Sequence, residues 1–546
     1  MTDSTKHLTE SDKQKLFWAS FLALTAAGVG FVFRVMIPDM WVDNFQITKA
    51  DVGALTGAAL WPIAITMILF SLLVDKIGYK VSMFFAFVLQ AISVVLTYTA
   101  KDVTTMWYAC FFAGLGHGVV EAVINPLCAS IYRDSKSKML NILHASWPAG
   151  IVLGGIFYLL LVNTDADPGW GDVKWVFWFM LVPVLAYGIL FLMCSRFPVD
   201  ERVEANVPMK EMLREFGGLG AFLASTFLIY EFIGQLGLNE TIDGIGLGSN
   251  GKLYVCLAAG ALIGTAVGFT VGSRGKILFF VLCLIMIPLA TAELATDAWI
   301  QSLMKPILGT TAAGWAIVLS AAIMMTLRFF AGIPLKVMSP PVLLLVSSLF
   351  SIAGLYAMSV STGWLIFIAF VLYAIGQTFY WPTMLGFVSE QFPKGGAMTL
   401  NTVSAMGLLT VGIFGFPFLG AVQDHYNTQT VITQQADKFN EVKTDKVTFQ
   451  DTTDPEKPVD KAIYEAKNFF GVNYESVNRE EFVKLLPEEA KEELEESLKS
   501  TSQSSLKVAA VLPLIMAISF LMIIIYYKSI GGYKPVILAD EMKDKK

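Results

Sequence analysis

A chain of 546 residues that is 55% hydrophobic and only 15% charged is too apolar to be soluble; a soluble domain carries about a quarter charged residues. The net charge of −6 is unevenly placed, because Asp424 to Ser505 holds 18 acidic against 10 basic residues and the remainder is near neutral. No basic stretch offers a nucleic-acid footprint, so the composition leaves a multi-pass protein embedded in a lipid bilayer.

In chain order, Met1 to Lys15 is polar and lacks a cleavable signal pattern, so the first apolar run is expected to remain as an uncleaved span. Apolar runs of about 20 residues can cross the hydrocarbon core. Six occur near 16–38, 51–74, 81–100, 105–132, 139–162 and 174–195, followed by a mixed-charge linker from Arg196 to Arg214. Eight more lie near 217–237, 253–273, 276–296, 311–333, 341–361, 364–391, 397–421 and 507–527, which makes fourteen helices and an all-α membrane fold. Cys110, Cys128, Cys194, Cys256 and Cys283 all fall in these runs without CxxC spacing and read as small buried hydrophobes.

Lys and Arg in short loops set orientation. Lys76, Lys80, Arg133, Lys136, Lys138, Arg196, Arg202, Lys210, Arg214, Arg274, Lys276, Lys336, Lys394 and the tail from Lys528 fall on one side. Both termini are therefore expected in the cytoplasm of a cell whose inner membrane holds the protein, with residues 424–505 outside it. Within that acidic segment, Pro487 to Lys499 has helical spacing through Ala490, Leu494 and Leu498. The rest shows no strong period and reads either as a small cap or as disordered chain.

The loop after the second span reads Ser71-Leu-Leu-Val-Asp75-Lys76-Ile-Gly78-Tyr-Lys80. It resembles the loop signature of the major facilitator superfamily, Gly-x-Leu-x-Asp-Arg/Lys-x-Gly-Arg/Lys-Arg/Lys, with Asp75, Lys76, Gly78 and Lys80 matching and Ser71 and Tyr79 departing. A related pattern recurs at Arg328-Phe-Phe-Ala-Gly332-Ile-Pro-Leu-Lys336. Asn125-Pro126 followed by Leu140-Asn141 is echoed by Trp381-Pro382 followed by Leu400-Asn401, as a duplicated transporter predicts. The resemblance implies two six-helix bundles, 16–195 and 276–423 with 507–527, plus an inserted helix pair within 196–275. Tails 1–15 and 528–546 and the acidic insertion 424–506 complete the division.

Glu121 is the most informative residue. It lies in the apolar run Leu115-Gly-His117-Gly-Val-Val-Glu121-Ala-Val-Ile-Asn125-Pro126, where a charge costs roughly 2.5–3.5 kcal/mol on insertion scales and marks a solute or proton path by default. Asn125 and His117 each sit one turn away; His117 and His144 read either as proton relays or as packing residues. Within the superfamily, Glu121-Ala-Val-Ile-Asn125-Pro126 resembles the Glu-x-x-x-Asn-Pro motif of the fucose permease branch. Leu140-Asn141 and the stretch from Glu293 to Trp299 resemble further parts of that branch. The resemblance implies a glutamate that contacts sugar and carries the coupling proton. It also implies a first-helix aspartate, whereas the first span here offers Arg34 and no carboxylate before Asp39. Counted along their spans at about 1.5 Å per residue, Arg34 and Glu121 differ by roughly 12 Å in depth, so a direct pair would require tilt.

In the second half, Gln377, Tyr380, Trp381 and Asn401 combine amide and aromatic groups suited to a neutral sugar. Glu293 reads as an outer gate or an interfacial residue, and Glu231 as a peripheral helix contact. No P-loop, HExxH, GxSxG or metal cluster occurs, so neither an enzyme nor a cofactor is expected. The sequence thus points to a monomeric secondary transporter moving a small solute, foremost a monosaccharide, with protons or sodium as coupling ion. The alternatives are an organic-anion carrier using Arg34, and a non-transporting solute sensor built around the acidic segment.

Overall fold

The computed structural model describes residues 8–45, 47, 49–162, 168–300, 310–361, 364–442, 446–450, 458–470 and 472–538. Fourteen helical spans long and apolar enough to cross a membrane organise it. The first six are α1 (Glu10–Met36), α2 (Leu55–Ile77), α3 (Tyr79–Thr99), α4 (Val103–Ile131), α5 (Arg133–Leu161) and α6 (Trp170–Met193). An added pair follows, α7 (Met209–Gln235) and α8 (Gly251–Val271). The last six are α9 (Ile277–Ile300), α10 (Thr311–Lys336), α11 (Pro340–Val360), α12 (Leu365–Gln391), α13 (Pro393–Gln434) and α14 (Glu488–Ser529). All fourteen runs anticipated from hydropathy are present, and the added pair packs chiefly on itself.

Several spans are interrupted, and the sequence explains where. α5 breaks at Ala145 and α12 at Thr378–Phe379. A proline has no N–H for the carbonyl four residues earlier. Pro148 therefore frees the His144 carbonyl and Pro382 frees that of Thr378, while Pro126 inside α4 frees that of Ala122. α9 and α13 each contain a π turn, Thr291–Ala295 and Val411–Gly415, and Gly415 lets the two turns lie against each other. Such turns recur at functional sites.

The two halves touch through polar groups near the Asp75 loop. Asn141 Nδ2 donates to Thr383 Oγ1 at 3.2 Å, and Asn401 Nδ2 donates to Ser71 Oγ at 2.9 Å and to the freed Ala122 carbonyl at 3.1 Å. These are the two Leu-Asn echoes of the sequence, each reaching into the opposite bundle. On the same side, Asp75 pairs with Arg202 of the linker, and Gly78 (φ 81°) makes the turn between α2 and α3. Glu390 accepts from Ser137 Oγ of the first half and from Tyr533 Oη of the tail at 2.6 Å.

The acidic insertion is a folded cap rather than disordered chain among its described residues. The helix anticipated at 487–499 forms over Glu488–Ser504, with Leu494 and Leu498 fully buried. Two antiparallel hairpins join it: β1 (Lys446–Gln450) with β2 (Pro458–Ala462), and β3 (Tyr464–Phe469) with β4 (Val472–Val477). Val431, Phe439, Ile463, Val477, Phe482 and the two leucines give the cap its own small core.

Candidate functional site

α4 carries the first half of the site. Glu121 is 5% exposed and Asn125 fully buried. Asn125 Nδ2 donates to Glu121 Oε2 at 2.7 Å, as their spacing of one turn requires. That bond orients the amide, so its oxygen faces outward and meets His144 Nε2 at 2.9 Å. An amide oxygen only accepts, which makes Nε2 the protonated nitrogen of His144. His117 stacks on Trp147 (ring centroids 5.1 Å apart) and leaves its Nε2 at 3.8 Å from Glu121 Oε1. That separation is too long for a hydrogen bond. Among the described residues no lysine or arginine pairs with Glu121.

The second half centres on Arg328 and Glu293. Glu293 sits in the π turn of α9, 5% exposed, so it is buried and not interfacial as its place in the sequence suggested. One oxygen takes Arg328 Nη2 at 2.6 Å and the other the Trp381 backbone N–H at 2.9 Å. Arg328 likewise does not belong to the loop that its signature implied, because its side chain is buried in the last turn of Thr310–Phe329, the regular helix of α10. Its Nε donates to the Thr378 carbonyl at 2.7 Å and its Nη1 to the His144 carbonyl at 3.0 Å. Both acceptors are the ones that Pro382 and Pro148 free. One arginine thus satisfies two proline-orphaned carbonyls, one from each half, and an anion.

The other anticipated residues distribute as follows. Gln377 donates to Asp297 Oδ1 at 2.9 Å, close to Ser320, and its Oε1 is a buried acceptor without a partner among the described residues. Asn401 Oδ1 is in the same condition. Tyr380 points to Ser348 and Ser351 of α11 and so lies inside the second bundle. The Trp381 ring lies over Gly407, where any side chain would collide with it. Arg34 is set apart from Glu121: Nη1 donates to the Gly30 carbonyl at 2.9 Å and Nη2 to Ser93 Oγ at 3.5 Å, with Phe177 under the guanidinium. No ion pair joins it to Glu121. Asp39, the possible first-span carboxylate, has a side chain outside the described residues.

Of the loop residues, Lys80 Nζ donates to the Leu192 and Cys194 carbonyls at 2.8 and 3.1 Å, while Lys76 and Lys336 are exposed. Gly332 lies against the Lys138 side chain across the two halves. Behind Asp75, burial pushes the Asp200 carboxyl up to about 6, with the Asp75 charge acting in the same direction.

Sequence reading passed over Asp297, and it took Arg328 for a loop residue. The missed signal is plain in retrospect: an arginine inside an apolar run carries the same cost as the glutamate that drew notice at 121.

The pattern of the Major Facilitator Superfamily matches residues 16–302, more than half of the chain. Protein TsgA of Salmonella newport (strain SL254) is 25% identical over 250 residues, which are 44% of this chain and 61% of that protein. The chain therefore spans under two thirds of the length of the curated relatives it matches. Among solved structures, the E. coli fucose:proton symporter FucP superposes with a TM-score of 0.53 at 13% identity, covering 93% of this chain and 98% of that one. The xylose transporter XylE from E. coli gives 0.51 at 13% identity, over 75% of this chain and 92% of that one.

Proposed function

The chain belongs to the major facilitator superfamily, and on that premise we propose that it is a proton-coupled symporter of a small hydroxyl-bearing solute of the monosaccharide class. Transport would proceed by rocking one bundle against the other. On the loop charges, both termini would face the cytoplasm and the cap would lie outside it.

The observation that carries this reading is the contrast in charge compensation. Glu293 is fully paired, whereas Glu121 holds only the Asn125 amide and a distant imidazole. A carboxylate buried without a lysine or arginine partner among the described residues is the group to which the coupling proton is assigned here.

The local geometry couples that proton to solute. Unprotonated Glu121 captures Asn125 Nδ2 and thereby fixes the amide. Protonated Glu121 carries an O–H of its own, which leaves the Asn125 donor free to turn to a solute hydroxyl. Gln377 Oε1 and Asn401 Oδ1 are unsatisfied acceptors for further hydroxyls, and the Trp381 ring offers an apolar face. His144 connects the parts, since its ring contacts Asn125 and its carbonyl is held by Arg328 of the opposite bundle. FucP, a fucose:proton symporter, supports the reading through its fold alone.

The test is transport by reconstituted protein. Glu121→Gln is expected to abolish accumulation driven by a pH gradient and to retain solute counterflow, because the glutamine amide carries a donor of its own and stands in for the protonated acid. Accumulation by this variant at the wild-type proton stoichiometry would refute the assignment. A second reading has one observation in its favour, the buried Arg34 guanidinium bonded to a carbonyl and a hydroxyl. Organic-anion flux lost on Arg34→Ala, with no sugar flux in the parent, would replace the sugar reading with it.

A further inference from the structure

The added pair α7–α8 and the cap are the two departures from a twelve-helix plan, and they meet at one place. On the cap side of the membrane, α7 packs along α13 and reaches α2 through Trp61 and Phe232, whose rings are 5.9 Å apart. Between these three elements lies a cavity of about 530 Å³, within the few-hundred to thousand Å³ range of small-molecule sites. Its apolar wall includes Leu60, Trp61, Leu408 and Phe416. Its polar groups are Thr56, Gln235 and Glu231, the last accepting from Gln235 Nε2 at 2.9 Å. Trp61 adds an indole N–H that is a buried donor without a partner among the described residues.

The cap packs on two of the helices that line this cavity, beside lining residues. Phe470, at the β3–β4 turn, stacks on Tyr230, the residue before Glu231, with centroids 5.9 Å apart. Phe469 and Phe470 also pack on Phe414 of α13, at 5.6 and 6.2 Å. The hairpin therefore bridges α7 and α13 next to the lining residues Glu231 and Phe416. Gly53, Gly57 and Gly412 border the space, and a Cβ built at any of them meets nothing within 4 Å. The volume is left open by these residues and not filled by neighbours.

We propose that this cavity is an antechamber, an accessory site on the cap side that takes the hydroxyl-bearing solute before it reaches Glu121. Trp61 donates to a hydroxyl, Glu231 and Gln235 accept, and the ring faces cover the apolar side of the solute. The proposal gives the added helices and the cap one shared purpose, and it rests on the sugar reading for the class of its ligand.

The test uses the full chain in proteoliposomes with fucose and D-xylose as probes. All five native cysteines are buried, so Gly412→Cys introduces a distinctive target for a membrane-impermeant thiol reagent added on the cap side. Labelling slowed about fivefold or more by one of the sugars is expected, since a bound ligand in excess shields its site by mass action. Glu231→Gln is expected to raise KM about tenfold with kcat and proton stoichiometry unchanged, the signature of lost ground-state binding. No labelling, or labelling indifferent to a sugar that the parent transports, overturns the antechamber while the symport reading stands. Protection by a sugar that the parent fails to transport leaves a sugar site in the cavity but overturns its role as an antechamber, and it removes the symport reading for that sugar. A phospholipid that copurifies with the parent and is lost from Gly412→Leu with transport unchanged also overturns the proposal.

Discussion

Each half of the protein buries a glutamate beside a proline-interrupted helix, and the two are treated in opposite ways. In the first half Glu121 has an amide at 2.7 Å and no cation, only an imidazole at 3.8 Å. In the second half both oxygens of Glu293 are occupied, by a guanidinium at 2.6 Å and a backbone N–H at 2.9 Å. Burial alone does not make a carboxylate functional in a transporter. Full pairing ties Glu293 to Arg328 and Trp381, while Glu121 keeps the looser set of partners on which the proposed coupling role rests. The asymmetry departs from the pseudo-symmetry of the helices, whose Leu-Asn and proline positions correspond.

The largest effect should come from Arg328→Ala, which leaves Glu293 as an unpaired buried charge and orphans the His144 and Thr378 carbonyls. Breaking a buried pair costs about 3–5 kcal/mol, so thermal melts of the purified protein should show a large drop together with lost transport. Glu121→Gln should leave the stability within about 1 kcal/mol of the parent, and so the melting temperature little changed, while removing coupling, because a neutral amide there needs no cation. Equal destabilisation of the two variants would erase the distinction between framework and working carboxylate.

Asp200 offers an intermediate case outside the membrane, a buried carboxyl beside the Asp75–Arg202 pair. Its value in the folded protein, about 6, lies above the ordinary 3.8. The folded state therefore binds this proton more tightly than the unfolded state does. That stabilisation is complete below about pH 4 and is lost as pH rises through 6, at most about 3 kcal/mol for a shift of about two units. Asp200→Asn should flatten the melting temperature across this window; an unchanged pH profile would assign it to other groups. The smallest effect is expected for Pro148→Ala. It restores an N–H that competes with Arg328 for the His144 carbonyl, worth about 1 kcal/mol. A roughly fivefold faster exchange between conformations should follow, measured by single-molecule distance changes between the bundles. No change would show that Arg328 does not hold the halves through that carbonyl.

Much of the architecture was legible in order along the chain. Hydropathy gave fourteen spans because in lipid every backbone polar group must be satisfied within its own segment, so length and apolarity suffice. The Glu121–Asn125 bond follows from helical spacing alone. The strands of the cap were not legible. Their short segments alternate weakly, and what stabilises them is pairing between hairpin arms and, for β3 and β4, packing of Tyr464 and Val477 into the core of Phe439, Phe482 and Leu494. The sequence also misled at Arg328, where a local likeness to a loop signature hid a residue that the fold turns inward.

By itself, then, the sequence determined a membrane transporter fold, the burial of Glu121 and the partner one turn away. Tertiary structure decided who pairs with whom across the bundles: Arg328 with Glu293 and with two freed carbonyls, Asn401 with the Ala122 carbonyl, and Glu121 with no cation. Backbone satisfaction is a local requirement that spacing reveals. Charge compensation depends on side chains brought together from distant segments, and for Glu121 and Glu293 it distinguishes the carboxylate proposed to carry the proton from the one paired with Arg328.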